Sequence, residues 1–164
     1  MLAMARGLFG CAAVVCLLFA IVAAGSFAAT PEREEYKAQV EPICKANTKA
    51  NEQILGGVRK QVKEGKLKPA GAQFAKAAKA LKKTRGQLLA VPQPAADKAR
   101  LAKWLSYVKE EVSLFETMAS KLKAEDKPGA NQTVSKLLRT ANKANLEVLP
   151  FEFKYCRFEP SRFT

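Results

Sequence analysis

The chain contains no histidine among its 164 residues. A Ser-His-Asp triad, a Cys-His pair, a His-ligated zinc and a covalently attached c-type haem all need an imidazole, so these sites are excluded. Diiron bundles built on Glu-x-x-His are excluded for the same reason. The sequence also lacks a Gly-rich loop of the Walker or dinucleotide-binding type. These absences predict a protein that is not an enzyme and that has no cofactor.

Acidic residues are scarce, because 15 Asp and Glu stand against 28 Lys and Arg, for a net charge of +13. The carboxylates of Glu32, Glu34 and Glu35 cluster where the first helix is expected to begin. The positive end of the helix dipole accounts for acidic residues there without a metal. No metal site is predicted.

Cysteine is limited to four residues, and Cys11 and Cys16 lie within an uncharged apolar run from Leu8 to Ala24. Arg6 precedes this run and small residues follow it, which is the pattern of an export signal cleaved after Ala28. An uncleaved membrane anchor is the alternative. We therefore expect a signal peptide over 1–28 and a single domain over 29–164. The protein is expected outside the cytoplasm, either secreted or associated with the cell envelope. If the signal is not cleaved, we expect it to anchor the protein in the membrane.

Apolar residues recur at intervals of three and four along four segments, the period of one helix face. The segments run over 32–64, 70–90, 95–124 and from a cap at Asn131 or Thr133 to just before Pro150. Pro42 predicts a kink or a fresh start in the first helix, and Pro128-Gly129 predicts a turn before the fourth. Residues expected to face inward on the fourth helix are Val134, Leu138, Ala141, Asn145 and Val148. Short connections favour an all-α, up-down-up-down four-helix bundle, here with a short extended C-terminal tail.

Cys44 and Cys156 are the two thiols that remain after signal removal. The up-down-up-down topology brings the start of the first helix and the end of the fourth to one pole of the bundle. In an oxidising compartment this even, well-placed pair predicts a disulfide. Because no Cys-x-x-Cys spacing is present, the bridge is expected to be structural.

Aromatic residues concentrate at the same pole. The set assigned there is Tyr36, Trp104, Tyr107, Phe151, Phe153, Tyr155, Phe158 and Phe163. One interpretation is a hydrophobic plug that keeps the end of the bundle dry. The other is a cleft for a small apolar ligand, with Tyr36, Trp104 and Phe153 among its walls.

Three asparagines, Asn47, Asn51 and Asn145, fall on the inward faces of the first and fourth helices. Asn51 and Asn145 are expected at the same height, where two amides could satisfy each other and set helix register. Alternatively one of them orients a ligand. Glu111 is interpreted as a boundary residue paired with lysine.

Positive charge gathers between Lys66 and Lys109, where eleven Lys and Arg stand against one carboxylate, Asp97. A face of the second helix carries Lys76, Lys79, Lys82 and Lys83. This face is either an ordinary solvated surface or a binding face for anionic envelope polymer or lipid head groups. Alanine stands between the lysines where aromatics would stack on bases, so specific nucleic-acid binding is not predicted.

Short sequence features resemble those of small exported helical proteins of actinobacteria. They are the export signal, Ile43-Cys44 followed by asparagines, Trp104-Leu105, the Ala-Asn of the fourth helix and the closing segment from Glu152 to Cys156. The resemblance covers most of 29–164 and implies the bundle fold and an exported location. It implies no chemistry. The sequence thus predicts a non-enzymatic bundle that binds the envelope through its basic face, or alternatively carries a small apolar ligand at the aromatic pole; its oligomeric state stays open.

Overall fold

The computed structural model describes residues 30–159 and is all-helical over that range. Its elements are α1 (Pro31–Leu55), α2 (Val58–Lys63), α3 (Leu67–Ala90), a 3-10 turn (Ala95–Asp97), α4 (Lys98–Lys123), α5 (Lys127–Glu147) and a second 3-10 turn (Leu149–Phe151). The predicted signal segment and Phe163 lie outside the described residues. Between residues 30 and 159 no helix combines the length and hydropathy needed to cross a bilayer.

The four long helices form the predicted up-down-up-down bundle. Helix α3 packs against both α1 and α4, and α4 packs against α5. No comparably extensive packing joins α1 to α5 in the described chain. The C-terminal tail, residues 149–159, is attached to both of these helices and closes the gap at one pole.

Helix α1 begins at a Thr30 cap, whose hydroxyl accepts the N–H of Arg33 at 3.3 Å. The fresh start considered at Pro42 does not occur, because α1 is continuous from Pro31 to Leu55. Pro42 and Ala38 lie on the exposed side, where water can bond the carbonyl that proline leaves without a donor. The break comes instead at Gly56-Gly57, where Gly57 adopts a φ of 75°, a left-handed conformation that glycine tolerates.

The start of α5 and its buried face both differ from the sequence prediction. Asp126 caps the helix by accepting the N–H of Gly129 at 2.8 Å, so Pro128 lies in the first helical turn, where its missing N–H is harmless. Val134 and Leu138, expected inside, are 41% and 40% exposed. The residues that α5 buries are Ala130, Thr133, Leu137, Thr140, Ala141 and Ala144. These are mostly small, so the helix turns a less hydrophobic face inward than the leucine pattern indicates.

The predicted seam of α4 is confirmed. All seven residues assigned to it are buried: Leu101, Leu105, Val108, Val112, Phe115, Ala119 and Leu122. Helix α3 approaches α4 closely at Gly71, where a Cβ atom would lie 2.8 Å from the carbonyl oxygen of Ala119. A glycine at this position therefore permits the close contact.

Candidate functional site

The disulfide between Cys44 and Cys156 is present as predicted, with the two Cα atoms 5.0 Å apart. It connects α1 to the tail. A second attachment is the carboxylate of Glu41, which accepts the backbone N–H of Lys154 at 2.6 Å and that of Tyr155 at 3.1 Å. The tail is thus held along α1 by covalent and hydrogen bonds together.

Asn145 attaches the tail to α5. Its amide nitrogen donates to the carbonyl of Phe158 and its amide oxygen accepts the N–H of Phe158, each at 2.9 Å. The predicted pairing of Asn145 with Asn51 was therefore wrong. The tail lies in the gap between α1 and α5, and its backbone takes both hydrogen bonds of the Asn145 amide.

Aromatic rings fill the disulfide pole. The ring of Phe153 stacks on Phe151 at 5.1 Å between centroids and contacts Trp104 at 5.8 Å, and Tyr36 meets Phe151 edge-on at 5.9 Å. These four side chains are at most 3% exposed. Burial also raises the pKa of Tyr36 to about 12. The geometry favours the plug interpretation for Tyr36 and Phe153, because both rings pack against the other aromatic rings of this cluster.

Beside this plug lies a cavity of about 60 Å³ under the tail, which we call the chamber. Its lining residues are Cys44, Asn47, Thr48, Asn51, Leu81, Thr84, Leu88, Trp104, Val108, Glu111, Tyr155, Cys156, Arg157, Phe158 and Glu159. Of the residues predicted for a ligand or polar site, Asn47, Asn51 and Trp104 meet here. Tyr36 and Phe153 belong to the plug, and Asn145 holds the tail.

Asn51 is 2% exposed and is only partly satisfied by its neighbours. Its amide nitrogen donates to the side-chain oxygen of Asn47 at 3.3 Å, one turn back on α1. Its own side-chain oxygen has no hydrogen-bond partner among residues 30–159. An unmatched acceptor therefore remains on a residue that lines the chamber.

The burial of Glu111 differs from the sequence prediction. Instead of a boundary residue paired with lysine, it is 3% exposed, and its Oε1 has no hydrogen-bond partner within the described chain. Desolvation, reinforced by the neighbouring charge of Glu110, raises the pKa of Glu111 to about 8. The burial of Glu111 could have been inferred from the sequence of α4. Its residues Val108, Glu111, Val112 and Phe115 occupy the i, i+3, i+4 and i+7 positions of one helix face.

The chamber is lined mainly by uncharged groups. Its α1 and α3 walls contribute amides, hydroxyls and aliphatic groups, while charge enters only through Glu111 and through Arg157 and Glu159 of the tail. No group of three His, Cys, Asp or Glu that could hold a metal ion occurs in residues 30–159.

A second cavity, which we call the groove, measures about 140 Å³ and lies farther along the gap between α1 and α5. Its lining residues are Leu55, Val58, Arg59, Phe74, Phe115, Met118, Val134, Leu137, Leu138 and Phe158. All except Arg59 are apolar. The partial exposure of Val134 and Leu138, unexpected from the sequence, follows from their position on this groove.

The basic face of α3 is exposed as predicted. Lys76, Lys79, Lys82 and Lys83 all lie on the surface, and none forms an ion pair with a carboxylate in the described part of the chain. Lysines that do pair with a carboxylate are Lys37, Lys60, Lys66, Lys68, Lys103 and Lys121. Four uncompensated charges therefore project from a single helix.

A scan of protein-family models and searches of curated proteins and of solved structures found no match to this chain.

Proposed function

We propose that the protein is an extracytoplasmic, non-enzymatic binding protein that attaches to anionic polymer or lipid head groups of the cell envelope. The observation that carries this proposal is the clustering of four exposed lysines on one helix that has no acidic residue. These lysines are Lys76, Lys79, Lys82 and Lys83, and none forms an ion pair within residues 30–159. A patch of uncompensated charge of one sign attracts an oppositely charged polymer or surface. The four lysines would lose no internal partner on binding.

The composition of α3 supports the same proposal. Its 24 residues include no Asp or Glu, whereas α4 carries Glu110, Glu111 and Glu116. Lysine and a carboxylate three or four residues apart stabilise a helix, and α3 has no such pair. The disulfide and the export-like N-terminal segment support a location outside the cytoplasm.

Replacing Lys76, Lys79, Lys82 and Lys83 together by Gln is expected to weaken binding to vesicles that contain anionic lipid by roughly a hundredfold or more, since each surface lysine contributes about 1 kcal/mol to such binding. The measurement is co-sedimentation with anionic and with neutral vesicles over a range of salt concentrations. Binding by the unmodified protein should fall as salt rises.

The matched control replaces the ion-paired lysines Lys37, Lys60, Lys66 and Lys103 by Gln, which removes the same total charge. This variant should bind nearly as well as the unmodified protein. Equal loss in both variants would contradict a role for the α3 face, since net charge alone would then govern retention.

A second candidate function, carriage of a small apolar ligand, is favoured by the groove. The sequence suggested such a site at the aromatic pole, where rings now pack on one another. The groove offers about 140 Å³ with an almost wholly apolar lining. A cavity of about 150 Å³ lined by Leu, Ile and Phe accepts a benzene-sized molecule.

We expect fluorobenzene to bind the groove, and Val134→Trp to abolish that binding because the indole would occupy the cavity. The measurement is fluorine NMR line broadening of the ligand. The control is Leu146→Trp, which adds the same side chain at a position that is 61% exposed and does not line the groove. If the Val134 variant binds as the control does, the groove is not the site.

A further inference from the structure

Two buried oxygen atoms on the wall of the chamber lack a donor. They are Oε1 of Glu111 on α4 and the side-chain oxygen of Asn51 on α1. Buried polar groups in folded proteins are almost always hydrogen-bonded, and an exception needs a reason. Because both residues line the same cavity, one occupant that donates hydrogen bonds could satisfy both.

The neighbours of Asn51 do not supply the missing donor. Asn47 accepts a hydrogen bond from the amide nitrogen of Asn51, and the amide of Asn145, the other inward asparagine, is used by the backbone of Phe158. Neither unmatched oxygen has a donor among residues 30–159, and an occupant with several donors would serve both.

The size of the chamber limits that occupant. A volume of about 60 Å³ has room for a few water molecules, since one water needs at least about 10 to 15 Å³. An organic molecule with a few non-hydrogen atoms fits the same space. The aromatic side chain of Trp104 lines part of it, and the face of such a ring attracts a cation.

The charges around the chamber permit a cation there. No charged residue lines it from α1 or α3. On α4, Glu110 adjoins Glu111 in sequence, and the tail contributes Arg157 together with Glu159. The ammonium groups of Lys45 and Lys154 lie 5.4 and 5.5 Å from the centre of the Tyr155 ring. The ionised form of Glu111 therefore has to supply the counter-charge for a bound cation.

We propose that the chamber binds a small organic cation of the primary ammonium class, held by Glu111 and Asn51 as hydrogen-bond acceptors and by Trp104 as an aromatic wall. This site is separate from the α3 face and does not depend on the function proposed for that face. An ammonium group has three N–H donors, enough for both unmatched oxygens.

Binding at neutral pH is coupled to a proton. Burial raises the pKa of Glu111 to about 8, so this carboxyl is protonated at neutral pH before a cation binds. When the ammonium ion enters with its own charge, the carboxyl ionises and releases its proton to solvent. One cation is taken up and one proton leaves, so the charge of the chamber is unchanged.

Isothermal titration calorimetry with ethylammonium chloride tests the proposal. At neutral pH in two buffers of different ionisation enthalpy, we expect saturable binding with release of close to one proton. Sodium chloride at the same ionic strength and ethanol, a neutral molecule of similar size, should give no saturable heat. Glu111→Gln should weaken ethylammonium binding at least about tenfold, the size of one charge-assisted hydrogen bond, whereas Glu116→Gln, on the exposed side of α4, should leave it unchanged.

Three results would overturn the proposal. They are no saturable heat with ethylammonium, binding that persists unchanged in Glu111→Gln, and equal binding of ethanol without proton release. The last would mean that the chamber takes neutral donors or water only. The emission of Trp104, the single tryptophan of the chain, should be the same in both variants and so shows that each is folded.

Discussion

Replacing Glu111 by Gln is expected to leave the free energy of unfolding nearly unchanged at pH 4.5 and to raise it by several kcal/mol above pH 8. The folded-state pKa of Glu111 is raised from 4.5 to about 8, with desolvation as the first cause and Glu110 as the second. In the unfolded chain the carboxyl ionises near its ordinary pKa. Between these two values the folded state binds more protons than the unfolded state.

The sign follows from this difference, because stability falls with rising pH wherever the folded state holds the extra proton. The loss begins near pH 4.5, accumulates up to about pH 8 and is constant above that. At about 1.4 kcal/mol for each pKa unit, the full cost approaches about 5 kcal/mol. Gln keeps the shape of the side chain and cannot ionise, so the variant should not show this part of the loss.

Urea unfolding at pH 4.5 and above pH 8, followed by Trp104 emission, measures the effect. The other carboxylates titrate in both proteins and cancel when the variant is compared with the unmodified chain. Glu116→Gln provides the control, since Glu116 is exposed on the same helix. Parallel pH profiles for Glu111→Gln and the unmodified protein would show that Glu111 ionises in the folded state without a large cost.

Removing the disulfide by Cys44→Ala together with Cys156→Ala is expected to lower the free energy of unfolding by about 4 to 5 kcal/mol. The bridge closes a loop with a sequence separation of 112. In the chain-entropy model the stabilisation grows with the logarithm of loop length and reaches this size for a loop near one hundred residues. For a single domain whose total stability is about 5 to 15 kcal/mol, the loss is large.

The same substitution should loosen the tail, because the remaining attachments are hydrogen bonds to Glu41 and Asn145. Trp104, now 2% exposed against Phe153, should gain contact with water, and its emission should shift to the red. Urea unfolding and native-state emission spectra provide both measurements. Chemical reduction of the unmodified protein should give the same result as the double substitution. A loss below about 1 kcal/mol with unchanged emission would contradict the role assigned to the bridge.

Where hydrophobic periodicity was strong, it predicted the structure well. In α4 large apolar residues recur at threes and fours over the whole helix, so only one face could be buried. In α5 the large residues Val134 and Leu138 competed with the small residues Ala130 and Ala144 for the inward position. Helix packing favoured the small ones against α4, and the sequence contains no local signal that reports the distance between two helices.

The polar sites were predicted only in part. The inward positions of Asn47 and Asn51 followed from helical geometry, and the nearness of Trp104 followed from topology. The hydrogen-bond partner of Asn145 could not be predicted in this way, because the path of the tail between α1 and α5 depends on contacts made by residues far apart in the chain. Glu111 was assigned to a boundary on the assumption that a lysine neutralises it, and only the three-dimensional arrangement shows that no lysine in the described chain reaches it.

The sequence by itself determined the helical class, the order and approximate limits of the four long helices, the Cys44–Cys156 pairing and the exposure of the α3 lysines. These features depend on periodicity, chain connectivity and charge, which are properties of residues taken in order. Only the tertiary structure decided which face α5 buries, how the tail closes the gap beside α1, and that Glu111 and Asn51 line a common chamber. Those outcomes depend on the fit between surfaces distant in sequence, and the burial that raises the pKa of Glu111 exists only once these surfaces have come together.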